Sequence, residues 1–150
     1  MSSVHRAFSQ VSPVAELYKV AVETDDRTFL FPAGKYVSQV VVSAHGDRTV
    51  RLSAIFGFNE SHTDPEFARF GLDEARDLAR AMVEAVYQGR TQHVLSDAAK
   101  AAIVFNPNGF VLRFGEGAAL VELFIASPAI LRLAQGIMRA VDRLEAPAPH

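Results

Sequence analysis

The sequence predicts an α+β fold: antiparallel sheet from two strand-run-then-helix halves, with two main helices at about residues 73–88 and 128–144. Three observations predict it. Residues 14–58 and 101–125 read as extended, with apolar and polar side chains alternating over much of both runs. Each run leads into a segment whose apolar residues recur every three or four positions, as on a helix with one buried face. Turn-forming residues separate neighbouring strand segments inside each run.

At 150 residues the chain has the size of one domain. A hydrophobic fraction of 49% with 21% charged residues suits a globular core and argues against disorder. The expected organisation is a loose arm at 1–12, one α+β domain at 13–145 with halves 13–89 and 97–145, and a tail at 146–150. The net charge of −2 supplies no global attraction to nucleic acid or to an anionic membrane. Without cysteine, disulfides, thiolate metal sites and cysteine nucleophiles are excluded. No apolar stretch reaches the roughly 18–20 residues of a membrane helix, and the first ten residues hold no signal-like apolar run. A soluble, cytoplasmic protein without cofactor or membrane partner is expected.

The elements follow in order. After Pro13, residues 14–24 place Val14, Tyr18, Val20 and Val22 on one face. A polar turn at 25–27 leads to the short apolar stretch 28–31, which Pro32 and Gly34 break. In 35–44, Tyr36, Val40, Val42 and Ala44 fall together, so parity puts Tyr36 in the core. His45-Gly46-Asp47-Arg48 supplies a hairpin turn, with Gly46 suited to positive φ. Residues 49–58 then alternate strictly: Val50, Leu52, Ala54, Phe56 and Phe58 against Thr49, Arg51, Ser53 and Gly57.

Residues 59–71 read as a polar, proline-containing loop. Asp73 is the expected N-cap of the first helix, whose stripe is Leu72, Ala75, Leu78, Ala79, Met82 and Val86. Gly89 ends it in the left-handed conformation. Residues 90–100 fit a linker or a short helix. Strands at 101–105 and 110–114 flank the turn Asn106-Pro107-Asn108-Gly109, and Gly115-Glu116-Gly117 precedes a last strand at 118–125. Ser127-Pro128 is a helix start, with Pro128 at N1 where its missing N–H costs nothing. Ile130, Leu131, Ala134, Ile137, Met138, Val141 and Leu144 form the second stripe.

The last strand is apolar on both faces, and the helices can cover only one. The expected cover for the other is either an inner strand layer or a second copy of the chain. The candidate homo-oligomer surface is Ala119, Val121, Leu123 and Ile125.

No nucleophile elbow, phosphate-binding glycine loop or His-Glu-x-x-His motif is present. The densest polar cluster, Glu60, His62 and Asp64, offers imidazole and carboxylate donors for a metal or an acid–base pair. Lys35, Gln39, Arg48, Arg51 and Arg113 are the candidate ligand- or nucleic-acid-binding residues, on or beside a polar sheet face. The leading expectation is a non-catalytic, homo-oligomeric binding or assembly domain. The alternatives are a single-stranded nucleic-acid binder and a small enzyme or metal protein centred on the 60–64 loop. In element order the strand-run-then-helix repeat resembles whirly-type single-strand nucleic-acid binders. That resemblance implies a sheet surface as the place of contact.

Overall fold

The computed structural model describes residues 14–25, 27–57, 65–95 and 100–146. The arm at 1–12, the 60–64 loop with Glu60, His62 and Asp64, and residues 147–150 lie outside them. The fold is α+β, as the alternation predicts. Its strands are β1 (Glu16–Glu23), β2 (Phe29–Phe31), β3 (Lys35–His45), β4 (Thr49–Phe56), β5 (Glu66–Gly71), β6 (Gln92–Leu95), β7 (Lys100–Asn106), β8 (Gly109–Phe114) and β9 (Val121–Ile125). The helices are α1 (Leu72–Gln88) and α2 (Ser127–Glu145).

All strand pairings among the described residues are antiparallel. The order across the sheet is β5-β4-β3-β2-β9-β8-β7-β6, with β1 also paired to β3. The two strand runs therefore join edge to edge. The short β2 stands between β3 of the first run and β9 of the second. Both helices lie on one side of this sheet; on the other side the stretch across β2, β9, β8 and β7 is partly exposed, while Val41 and Ser43 of β3 are buried.

The helices cross over between halves. α1 follows the first run yet packs on β6 and β7 as well as β5. α2 follows the second run yet packs on β1 and β3. Each run's apolar face is thus covered partly by the other's helix, so one core serves both. Leu52, Leu78, Met82, Ile103, Leu112, Leu123, Ile125, Ile130, Leu133 and Ile137 are fully buried in it. The close approach of α2 to the sheet depends on Gly136, where an added Cβ would lie 3.1 Å from Val22 Cγ2.

Two β-bulges decide which side chains face the core. In β3 the register shifts between Val37 and Gln39. One extra residue there reverses the alternation. After the bulge, Val40, Val42 and Ala44 point to the helices. Before it, Val37 does, and Tyr36 points to the open side. Tyr36 is accordingly 63% exposed, not in the core where unbroken parity put it. In β4–β5 a second shift between Leu52 and Ser53 leaves Phe67 as the extra residue, and Phe67 packs against the core beside Phe114, 5.7 Å between ring centroids.

Four local expectations need correction. Part of the 59–71 segment is strand: β5 pairs with β4 from Glu66 to Gly71. Part of the 90–100 linker is strand too, β6 on the edge of β7. And α1 is capped by Gly71, not Asp73. Because β5 runs straight into the helix, no side chain is free to cap it. Instead Glu74 reaches back, and its Oε1 accepts the Gly71 N–H at 2.8 Å. Asp73 sits in the first turn and pairs with Arg76 at 2.6 Å. Similarly, the cap of α2 is Ala126, one residue before the expected Ser127.

Candidate interaction surface

The open side of the sheet has two contrasting regions, and the register fixes both. Across the β3–β7 segment the partners run Tyr36–Phe29–Phe124–Val111–Val104. Cα partners of an antiparallel sheet share a face, so this is one apolar rung across five strands. At about 4.8 Å per strand it is roughly 19 Å long. The adjacent rung is Phe31–Glu122–Arg113–Ala102–His93.

The aromatic rings at the β2 end gather into a cluster. Phe29 lies 4.6 Å from Phe31 and 4.8 Å from Tyr36, centroid to centroid. Phe29, Phe31, Tyr36, Phe124 and Arg27 line a shallow depression of about 450 Å³. Phe31 remains 50% exposed. Phe31 and Tyr36 thus leave aromatic surface in water at the end of this strip.

The other region, over β3, β4 and β5, combines internally paired charges with Val41 and Ser43, which are buried. Arg51 reaches Asp47 at 2.9 Å and Glu66 at 3.6 Å. Arg69 reaches Glu66 at 3.0 Å. Arg113, on the second rung, is paired with Glu122 at 3.1 Å. Each of these three guanidiniums has a carboxylate of this chain beside it.

The five candidate binding residues are not brought together. Gln39, Arg51 and Arg113 are on the open side, but Arg113 lies on β8, in the other half of the sheet from β3 and β4. Lys35 lies before the β3 bulge and follows the helix-side parity, with its Nζ 5.5 Å from the centre of the Phe56 ring. Arg48 is at the tip of the β3–β4 hairpin. It adopts φ of 62°, the left-handed position that Gly46 was expected to take. Its Nη1 donates to the Leu144 carbonyl at the end of α2, at 3.3 Å. Arg48 therefore ties the hairpin to a helix C-terminus.

The expected oligomer surface is placed differently as well. Leu123 and Ile125 are fully buried beneath the helices. Val121 packs against the same core, and Ala119 belongs to a 3₁₀ turn at Gly117–Ala119. The side of β9 left open carries Glu122 and Phe124. The two-faced apolarity of this strand was correctly read, but its faces exchange roles. Tyr36 and Phe31 were the residues missed. The signal was present in the Phe29-Leu30-Phe31 stretch, whose two outer rings must fall on the face opposite Leu30.

No group of three or more His, Asp or Glu among the described residues could hold a metal ion. His45 Nε2 is 2.8 Å from Ser43 Oγ, while no carboxylate meets its buried Nδ1 among the described residues. No helix among the described residues is long and apolar enough to cross a membrane.

The class these features define is an α+β domain with one helix-covered sheet face and a partly exposed aromatic strip on the other. No protein-family model matches the chain, and no curated protein matches it. Among solved structures it is similar to one described as "Mutations in SsgB correlate to longitudinal cell division during sporulation of Streptomyces coelicolor". The identity is 12% over 87% of this chain and 94% of that one, with a TM-score of 0.41. A likeness of that size carries no functional argument.

Proposed function

We propose that the protein is a non-catalytic assembly domain that pairs with a second copy of itself through the aromatic strip on its open sheet face. The observation that supports this most is the composition of that strip. Five rung positions are aromatic or β-branched, and the cluster of Phe29, Phe31, Tyr36 and Phe124 stands at its end. A two-fold axis through it would lay ring on ring and would remove the exposed area from water. Burial of that kind drives permanent association.

The test is sedimentation of the wild-type chain beside Phe31→Glu/Tyr36→Glu. Both side chains are half or more exposed, so the variant folds. The wild type is expected above monomer mass at micromolar concentration, and the variant associates more weakly. A monomeric wild type at that concentration defeats the proposal.

A second function is favoured by the same rings: stacking of single-stranded bases on Phe29, Phe31 and Tyr36. Against it stands the pairing of Arg51, Arg69 and Arg113 with carboxylates, which leaves those cations little to offer a phosphate backbone. Filter binding of oligonucleotides at two salt concentrations separates the two. Salt-sensitive binding at low salt would favour the nucleic-acid function.

A further inference from the structure

A second apolar surface lies on the opposite side of the molecule, between the helices. α1 and α2 run antiparallel, with Arg76 near the start of α1 paired to Glu145 at the end of α2. Between them lies a groove of about 700 Å³, flanked by Leu131 and Met138 of α2 and Val83 and Tyr87 of α1. Its floor is formed by Ala79 and Ala134, both 2% exposed. Tyr87 stands out of the same surface, 78% exposed. A small-residue hollow and a projecting ring therefore share one face, about 12 Å apart along α1.

This arrangement is self-complementary. A two-fold axis near Val83, with the two α1 helices antiparallel, sets Tyr87 over the hollow at the partner subunit's Ala79, and the reverse. The same axis brings Arg80 within two residues, about 3 Å along the helix, of the partner subunit's Glu84, inside the reach of both side chains. Among the described residues Arg80 pairs with Asp77 alone, at 3.3 Å with both side chains more than half exposed. Glu84 has no ion pair among the described residues. A uniformly charged rim would select a partner of opposite charge. Alternation of sign along α1 instead suits a second copy of itself, since an isologous contact needs each residue type to meet its complement on the same patch.

We infer that the α1–α2 groove is a second two-fold interface between copies of this chain, closed by Tyr87 in the hollow and by reciprocal Arg80–Glu84 pairs. It is independent of the open-face contact. Two different two-fold interfaces on opposite faces of one domain build assemblies larger than a dimer.

The experiment is charge mixing, read by sedimentation and by energy transfer between labelled chains. It is done in the Phe31→Glu/Tyr36→Glu background, so that the open-face contact does not contribute. Arg80→Glu places two acidic groups on each copy, and Glu84→Arg places two basic ones. Each variant alone should associate roughly tenfold or more weakly than its parent. Mixed in equal amounts, they should form heteromers that recover the parent's affinity. Like charges within each chain are unchanged by mixing, so recovery reports contact between chains. Failure of the mixture to associate more tightly than either variant alone overturns the inference, as does parent-like association of each variant alone. A parent that is monomeric throughout overturns it too, and leaves the open-face proposal standing if the wild type dimerises.

Discussion

Adjacent residues on β9 offer the sharpest test of which way the strand is turned. Leu123 faces the helices and is fully buried, its register partners being Leu30 and Leu112. Phe124 faces the open side, where its partners are Phe29 and Val111, and is half-buried. Leu123→Ala removes three carbons from a site enclosed by sheet and helices. Truncations of this kind cost about 2–5 kcal/mol, rising with the cavity that remains. On a central strand held by β2 on one edge and β8 on the other little collapse is available, so about 3–4 kcal/mol is expected. For a chain of this size each kcal/mol lowers Tm by about 2–4 °C, so the midpoint falls by roughly 6–16 °C. Phe124→Ala removes a larger side chain from a shallower site. The cost to a single chain is about 1–2 kcal/mol, because only part of the ring leaves water on folding.

Association should respond in the opposite order. Phe124→Ala removes a rung of the aromatic strip and weakens pairing, while Leu123→Ala leaves that strip in place. The assay is thermal melting at two protein concentrations a decade apart, with sedimentation of the same samples. The concentrations are needed because self-association raises an apparent Tm. If Leu123→Ala melts with the wild type while Phe124→Ala loses most of the stability at every concentration, β9 is turned over and the open-face assignment fails with it.

Three further outcomes are expected. Gly109→Ala should destabilise well beyond Gly117→Ala, although both glycines have positive φ: the new Cβ at Gly109 would stand 2.8 Å from the Ile125 carbonyl oxygen, while none lies within 4 Å at Gly117. Chemical denaturation reads the difference, and equal costs would show that conformation alone matters there. Arg48→Gly should lose little stability or gain some, because relief of a left-handed non-glycine residue is worth about 1 kcal/mol against one long hydrogen bond to Leu144. A loss above about 2 kcal/mol would make the Leu144 contact the dominant one.

The third concerns pH. Asp47 is held below the usual carboxylate range by the Thr49 hydroxyl, which donates at 2.6 Å, with Arg51 adding to this and desolvation opposing it. A carboxyl lowered by folding adds stability above its unfolded value, and that stability is lost as pH falls through the lowered one. Asp47 lies in a hairpin turn with its side chain partly in water, so the contribution is small and local. Thr49→Val should move the Asp47 titration back up toward the ordinary range in an NMR titration, and an unmoved midpoint would remove Thr49 as the cause.

Much of this fold was legible in the residues themselves. Thr49-Val50-Arg51-Leu52-Ser53-Ala54 alternates without interruption, and β4 carries its apolar set to the helices as that pattern requires. The stripe of α1 was equally plain, because a helix buries one face whatever it packs on. On α2 Ile130, Ala134, Ile137 and Val141 are buried as expected, but Leu131 and Met138 line the exposed groove and Leu133 and Ala140 take their place in the core. The two-faced apolarity of the last strand was also visible in the chain, as was the need for something to cover its second face.

What covers each face was decided only in three dimensions. A β-bulge leaves no mark in composition, yet one extra residue before Gln39 turned Tyr36 out of the core. β5 and β6 were hidden because each is short and edges the sheet, so its sequence need satisfy only one neighbour. Leu123 and Phe124 are both apolar, and alternation cannot say which of two greasy faces meets the helices. That depends on the pairing of β9 with β2 and β8, and on helices that cross to the opposite half. Local chemistry sets the period of a segment, while the side it presents is fixed by distant contacts that must be satisfied together.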